Sequence, residues 1–222
     1  MKKIKNYLVA LSLVCSVYTF FSCNGTKNDV EEVQQPVYST ALEQKMGFKD
    51  IRLGSSIRNY NGFREVMFPS FSEIGTKRYV YYQQDEKYLS IGNSYRLRTN
   101  DKFNNSNNYF AFLFVETFND KIYKIEATID DDYDHSFINV LLESLGQPFS
   151  KKAYSNIDFI YSWESNSVSL EVKTKSEQQA VTPVQFLHFT EMIYIHKPTF
   201  ALVENAYKQY QQKEKQNINK SF

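Results

Sequence analysis

Tyr109-Phe110-Ala111-Phe112-Leu113-Phe114-Val115-Glu116-Thr117-Phe118, then Asn119-Asp120, then Lys121-Ile122-Tyr123-Lys124-Ile125-Glu126-Ala127-Thr128-Ile129, is the stretch on which the fold turns. In the second run Tyr123, Ile125, Ala127 and Ile129 share one parity and Lys124, Glu126 and Thr128 the other, the period of two that marks a half-buried strand. Asn-Asp between the runs supplies the residue types that tolerate a tight hairpin turn. The first run is apolar at both parities, which predicts a central strand covered on both sides.

Strands continue outward on both sides. Arg78 to Tyr82 and Lys87 to Ile91 read as strands before an Asn-rich loop from Arg98 to Asn108. Ile157 to Trp163 turns at Ser165-Asn166 into Val168, Leu170 and Val172, alternating with Ser169, Glu171 and Lys173, and Val184 to Lys197 is a long last strand.

Helices interrupt this pattern. Asp134 to Leu145 carries Phe137, Ile138, Leu141, Leu142 and Leu145 on one stripe, with Asp134 as N-cap, Gly146 as C-cap and Pro148 beyond. Thr40-x-x-Glu43 reads as a capping box opening a helix over 40–46, with Gly47 as its C-cap, and Ser55 or Ser56 caps a second helix after Gly54. Thr199 to about Lys215 is amphipathic through Phe200, Val203, Tyr207 and Tyr210, fraying into a tail over 216–222. The predicted class is α+β, an antiparallel sheet of hairpins with helices packed on one face. It forms a single domain over 39–215, with 39–130 and 131–215 as two possible related halves.

The 222 residues hold 26 Lys and Arg against 25 Asp and Glu, so no basic excess is available to neutralise a phosphate backbone and nucleic acid is excluded as a partner. Seventeen Tyr and 18 Phe supply ample core material, which excludes wholesale disorder.

The N-terminus carries an address. Lys2, Lys3 and Lys5 precede the 15 uncharged residues from Leu8 to Ser22, a length suited to a secretory signal and short for a membrane-spanning helix. Phe20-Phe21-Ser22-Cys23 resembles the lipobox of Gram-negative bacterial lipoproteins, in which a cysteine is acylated and becomes the mature N-terminus. The resemblance implies a signal peptide over 1–22, lipidation at Cys23, and residues 23–38 as a flexible tether. Asn24, in place of the aspartate that retains such lipoproteins at the inner membrane, implies the outer membrane, facing the periplasm or the cell surface. Removing residues 1–22 deletes three lysines and no acid, leaving 23 basic against 25 acidic groups and no cysteine beyond Cys23 for a disulfide. A second likeness covers the helix, Leu145-Gly146-Gln147-Pro148 and the aromatic hairpin after it. This resembles the helix–LGxP–hairpin modules of small periplasmic assembly lipoproteins and β-lactamase-inhibitor-like domains, and implies binding or assembly with no catalytic residue.

Constellations that could carry chemistry are few. Asp130, Asp132 and Asp134 have the 1,3,5 spacing of a calcium loop, but His135 and Leu141 stand where such a loop needs glycine and glutamate. The acids then serve a helix N-terminus, with an irregular Ca²⁺ site as the alternative. His188 and His196 share one face of the last strand at roughly 26 Å, too far apart to chelate one metal. No nucleophile-elbow, zincin or phosphate-loop motif is present, so neither catalysis nor a cofactor is expected. Tyr79, Tyr81, Tyr82 and Trp163, with Asn104, Asn105 and Asn107, are the candidate ligand or partner surface. The expectation is a lipid-anchored, non-catalytic envelope protein that binds another protein. The alternatives are an inhibitor or immunity protein against a secreted enzyme or toxin, and a glycan-binding surface lipoprotein.

Overall fold

The computed structural model describes residues 39–66, 72–82, 86–91, 95–99, 110–131, 136–155, 158–179 and 185–220. Cys23, the tether, the loop holding Asn104, Asn105 and Asn107, and both Asp132 and Asp134 lie outside the described residues. The elements are α1 (Thr40–Lys45), β1 (Gly47–Phe48), β2 (Ile51–Arg52), a 3₁₀ turn (Ile57–Asn59), β3 (Phe63–Val66), a second 3₁₀ turn (Ser72–Ile74) and β4 (Thr76–Tyr81). Then follow α2 (Glu86–Leu89), β5 (Ser90–Ile91), β6 (Tyr95–Leu97), β7 (Leu113–Phe118), β8 (Lys121–Asp131), α3 (Phe137–Leu145) and β9 (Ser150–Ala153). The chain closes with β10 (Phe159–Glu164), β11 (Val168–Gln179), β12 (Gln185–His196) and α4 (Lys197–Lys220).

One antiparallel sheet runs β3-β4-β7-β8-β12-β11-β10-β9, while β6 pairs with β8 beyond the start of β7 and carries β5. The architecture is α+β. The deciding hairpin forms as its sequence requires: Asn119 and Asp120 take φ of 50° and 64°, both left-handed, which is the backbone of a type I′ turn. A bulge after Glu116 places both Thr117 and Ile122 in the interior.

The core lies against one face of this sheet. Leu113, Val115, Ile125, Ala127 and Ile129 meet Leu170, Val172, Met192, Trp163 and Tyr81, together with Leu42 of α1 and Phe137, Ile138, Leu141 and Leu145 of α3. Each such side chain contributes about 1.5–3 kcal/mol on burial, so the hydrophobic stripe holds α3 in place. The N-cap residue Ser136 makes no side-chain capping bond.

Local chemistry departs from the sequence reading at several points. Ser39, not Thr40, caps α1 by accepting from the N–H of Leu42, and Met46 takes the left-handed C-cap position with φ 44°. Glu43 is thereby freed from the capping box and binds the β10–β11 turn. The predicted strand over 87–91 is a helical turn followed by two strand residues, and the helix after Ser56 is a single 3₁₀ turn. β9 reads Ser-Lys-Lys-Ala, with no apolar alternation to announce it; register with β10 alone makes it a strand. α4 continues to Lys220, past Lys215, through Gln, Lys and Glu residues of good helix propensity. Among the described residues no helix is long and apolar enough to cross a membrane.

Candidate functional site

Opposite the core, the second face of the sheet carries the side chains of the other parity. β7 is central, as its sequence predicts, but cover on this face takes an unexpected form. The β7 side chains Phe114, Glu116 and Phe118 are only half-buried, and what meets the aromatic ones is charge. The guanidinium of Arg78, from β4, lies 4.5 Å above the Phe114 ring. That of Arg98 lies 6.0 Å from Phe112 and 4.5 Å from Phe189 on β12, and Arg64 of β3 lies 5.0 Å from Tyr82. The rings form a continuous row, with centroid separations of 6.0 Å for Tyr82–Phe110, 5.5 Å for Phe110–Phe112 and 6.4 Å for Phe112–Phe114. Cations stacked on aromatic faces gain about 0.5–2 kcal/mol each, most where water is excluded.

An ionic cluster closes the row at the hairpin end. Arg78 bridges Glu116 at 2.9 Å and Glu126 at 2.5 Å, and Lys124 contacts both carboxylates. Tyr123 donates its hydroxyl to Glu116, and desolvation with that carboxylate nearby pushes the phenol far above its ordinary range. Phe200 of α4 lies 6.2 Å from the Tyr123 ring, and further along α4 the hydroxyl of Tyr210 bonds Glu73, which raises its pKa to about 12. At the other end the row has no such ionic closure among the described residues: Arg98 has Glu177 at 3.6 Å, and Arg64 has no carboxylate partner.

Of the residues picked from sequence that lie among the described residues, the structure brings Tyr82 to this face. Tyr79 and Tyr81 have the opposite parity: Tyr81 is fully buried, its ring 4.7 Å from that of Tyr88 and tilted to it by 53°, and Tyr79 is partly buried. Trp163 is fully buried and donates its indole N–H to the carbonyl of Gly146 at 2.9 Å, so it ties the end of α3 to β10. Arg64, Arg78, Arg98, Phe112, Phe114 and Phe189 escaped the sequence reading. Their signal was present in the even-numbered phenylalanines of 109–118, a second apolar row beside the odd-numbered one.

Tyr79 borders a shallow cleft of about 280 Å³ on the core side of the β3 edge, lined by Ile57, Arg58, Tyr60, Phe63, Lys77, Tyr79 and Asp120. Its charges are paired across the rim, Arg58 with Asp120 at 2.5 Å and Lys77 with Glu65 at 3.0 Å.

No family model, curated protein or solved structure matches the chain. What the sheet can do therefore rests on its own side chains.

The arrangement closest to hydrolytic chemistry lies on the core side of β11 and β12. Ser176 donates its hydroxyl to Asp158 at 3.0 Å, and its oxygen lies 2.9 Å from Nδ1 of His188. His196 bonds Thr199 at 2.8 Å, and desolvation depresses its pKa against the opposing pull of Glu43. Among the described residues no three His, Cys, Asp or Glu side chains converge on a point where a cation could sit. Asp130 is exposed on β8.

Proposed function

We propose that this chain is a non-catalytic lipoprotein, acylated at Cys23 and held at the outer membrane, whose α+β domain binds another protein of the cell envelope through the second face of its sheet. The observation that carries this reading is the row Tyr82–Phe110–Phe112–Phe114 with Arg64, Arg78 and Arg98 stacked on it. Aromatic side chains and arginine are the residues enriched at protein-binding hot spots, because they bury large area with few rotors and add directed donors. In this reading α1 and α3 cover the core face, and a partner meets the row.

Anchoring follows from the lipobox likeness, since two or three acyl chains on one residue hold a protein to a bilayer without help from charge. The domain's attachment point suits it: Ser39 is fixed by its N–H to Glu164 at 2.8 Å and by its hydroxyl to Leu145 at 2.9 Å. These contacts lie at the end of the sheet that holds the β7–β8 turn, while Tyr82 and Phe110 lie toward the opposite end. Metabolic labelling with a fatty acid tests the anchor: label is lost in Cys23→Ala, and label that persists refutes the assignment. Capture from envelope extracts with full-length protein tests the binding. A protein partner retained by the wild type and lost by Phe112→Ala supports the reading; recovery of polysaccharide alone favours a glycan-binding role instead.

A further inference from the structure

The sheet ends on β3, and the geometry points to this edge as the place where an extended segment of a partner protein adds as a further strand, carrying an acidic side chain opposite Arg64 and an apolar one beside Phe63. The inference rests on the protein-binding reading above and specifies how the partner is held.

Three observations carry it. First, the hydrogen-bonding phase of β3 leaves its outer edge available. The N–H of Tyr82 donates to the carbonyl of Gly62, and the register pairs Arg64 with Val80 and Val66 with Arg78. Antiparallel bonds alternate, so Phe63 and Glu65 direct their N–H and C=O groups away from β4. Among the described residues β3 pairs with β4 alone.

Second, the two faces of an added strand would meet different and fitting surfaces. Side chains of one parity would enter the cleft beside Phe63, Tyr60 and Tyr79; those of the other would lie beside Arg64. Strand addition draws affinity from main-chain bonds and specificity from such alternate pockets. Arg64 is exposed and stacked on Tyr82, with no carboxylate on it among the described residues, so a carboxylate from the added strand complements it.

Third, the edge disfavours a second copy of this chain. Directly opposed residues share a face, so antiparallel self-addition that pairs most of β3 has two registers. One sets Arg64 against its own copy, and the other sets Glu65 against its own copy, both like-charge contacts. The far edge differs: β9 carries Lys151 and Lys152, the type of residue that guards an edge against addition.

The test uses full-length protein and two fluorescent nine-residue peptides of alternating Thr and Val, one with Phe-Asp at the centre and one with Phe-Lys. The aspartate peptide binds at least tenfold more tightly, and Arg64→Glu reverses that order. Glu65→Pro removes an outward-facing donor and the exposed ion pair with Lys77 but no bond of the β3–β4 ladder, so the sheet persists while aspartate-peptide binding falls at least tenfold. Peptide binding unchanged in Glu65→Pro, or no binding of either peptide to the wild type, overturns the inference. So does a dimer of the wild type that Glu65→Pro converts to monomer. Retention of the envelope partner by Glu65→Pro with loss in Phe112→Ala overturns strand addition while leaving the binding face in place.

Discussion

Glu43 of α1 accepts hydrogen bonds from both the N–H and the hydroxyl of Ser167, 124 residues later, so the first helix of the domain is clamped to the β10–β11 turn. The N–H bond measures 3.1 Å, and the serines of this turn, Ser165 and Ser167, hold the Glu43 carboxyl down to about 2 from an ordinary 4.5. Together with the bonds of Ser39 to Glu164 and Leu145, this clamp fixes the start of α1 against β10 and α3.

Because the folded pKa of Glu43 is lowered, its contribution is complete above about pH 4.5 and is lost as pH falls toward 2. Glu43→Gln should cost about 1–2 kcal/mol at pH 7, discounted for a partly exposed site. Urea midpoints of wild type and variant at pH 7 and pH 3 check this. The gap narrows at the lower pH; a gap of constant size would mean that charge plays no part in the clamp.

Gly47 has φ 153°, and a Cβ added there would sit 2.1 Å from the carbonyl oxygen of Ile51, inside the β1–β2 pairing. Gly47→Ala should destabilise by about 2–4 kcal/mol, combining a conformation that side chains avoid with forced separation of two backbones. Thermal unfolding measures it, and a shift of less than a degree or two would contradict the close approach.

Trp163 is the chain's single tryptophan and is fully buried. Its emission should be blue-shifted and unchanged by a bound partner, since it lies in the core and not on the face proposed to bind. Trp163→Phe removes the bond to Gly146 and leaves a gap, at a cost of about 2–4 kcal/mol. A change in tryptophan emission on addition of a saturating partner, without unfolding, would place binding on the core side instead.

The turn of the central hairpin was readable from Asn119-Asp120, and so was the alternation from Ile125 to Ile129; the bulge that turns Ile122 into the core and Tyr123 toward Glu116, away from the face of Ile125, has no mark in the alternation. The stripe of α3 was equally legible, since five apolar residues at helical spacing admit only one buried face. β9 was invisible: Ser150 to Ala153 has no apolar pattern, and only pairing with β10 defines it. The capping of α1 was misassigned by one residue because Glu43 had a stronger use in tertiary structure than in a capping box. At the candidate surface, Tyr82 was found but Tyr81 and Trp163 proved to be core, since an aromatic in a strand has the same spacing whichever face it takes. The arginines of Arg64, Arg78 and Arg98 were overlooked because stacking joins residues from different strands, and cross-strand neighbours are set by register.

The central claim is that the ring row and its guanidinium groups bind a protein. The direct measurement is the amount of envelope partner held by full-length protein carrying Phe112→Ala and Arg98→Ala, beside wild type, after unfolding curves have shown that the variant remains folded. Retained partner should fall at least tenfold with the fold intact. Undiminished retention by the folded double variant would contradict it.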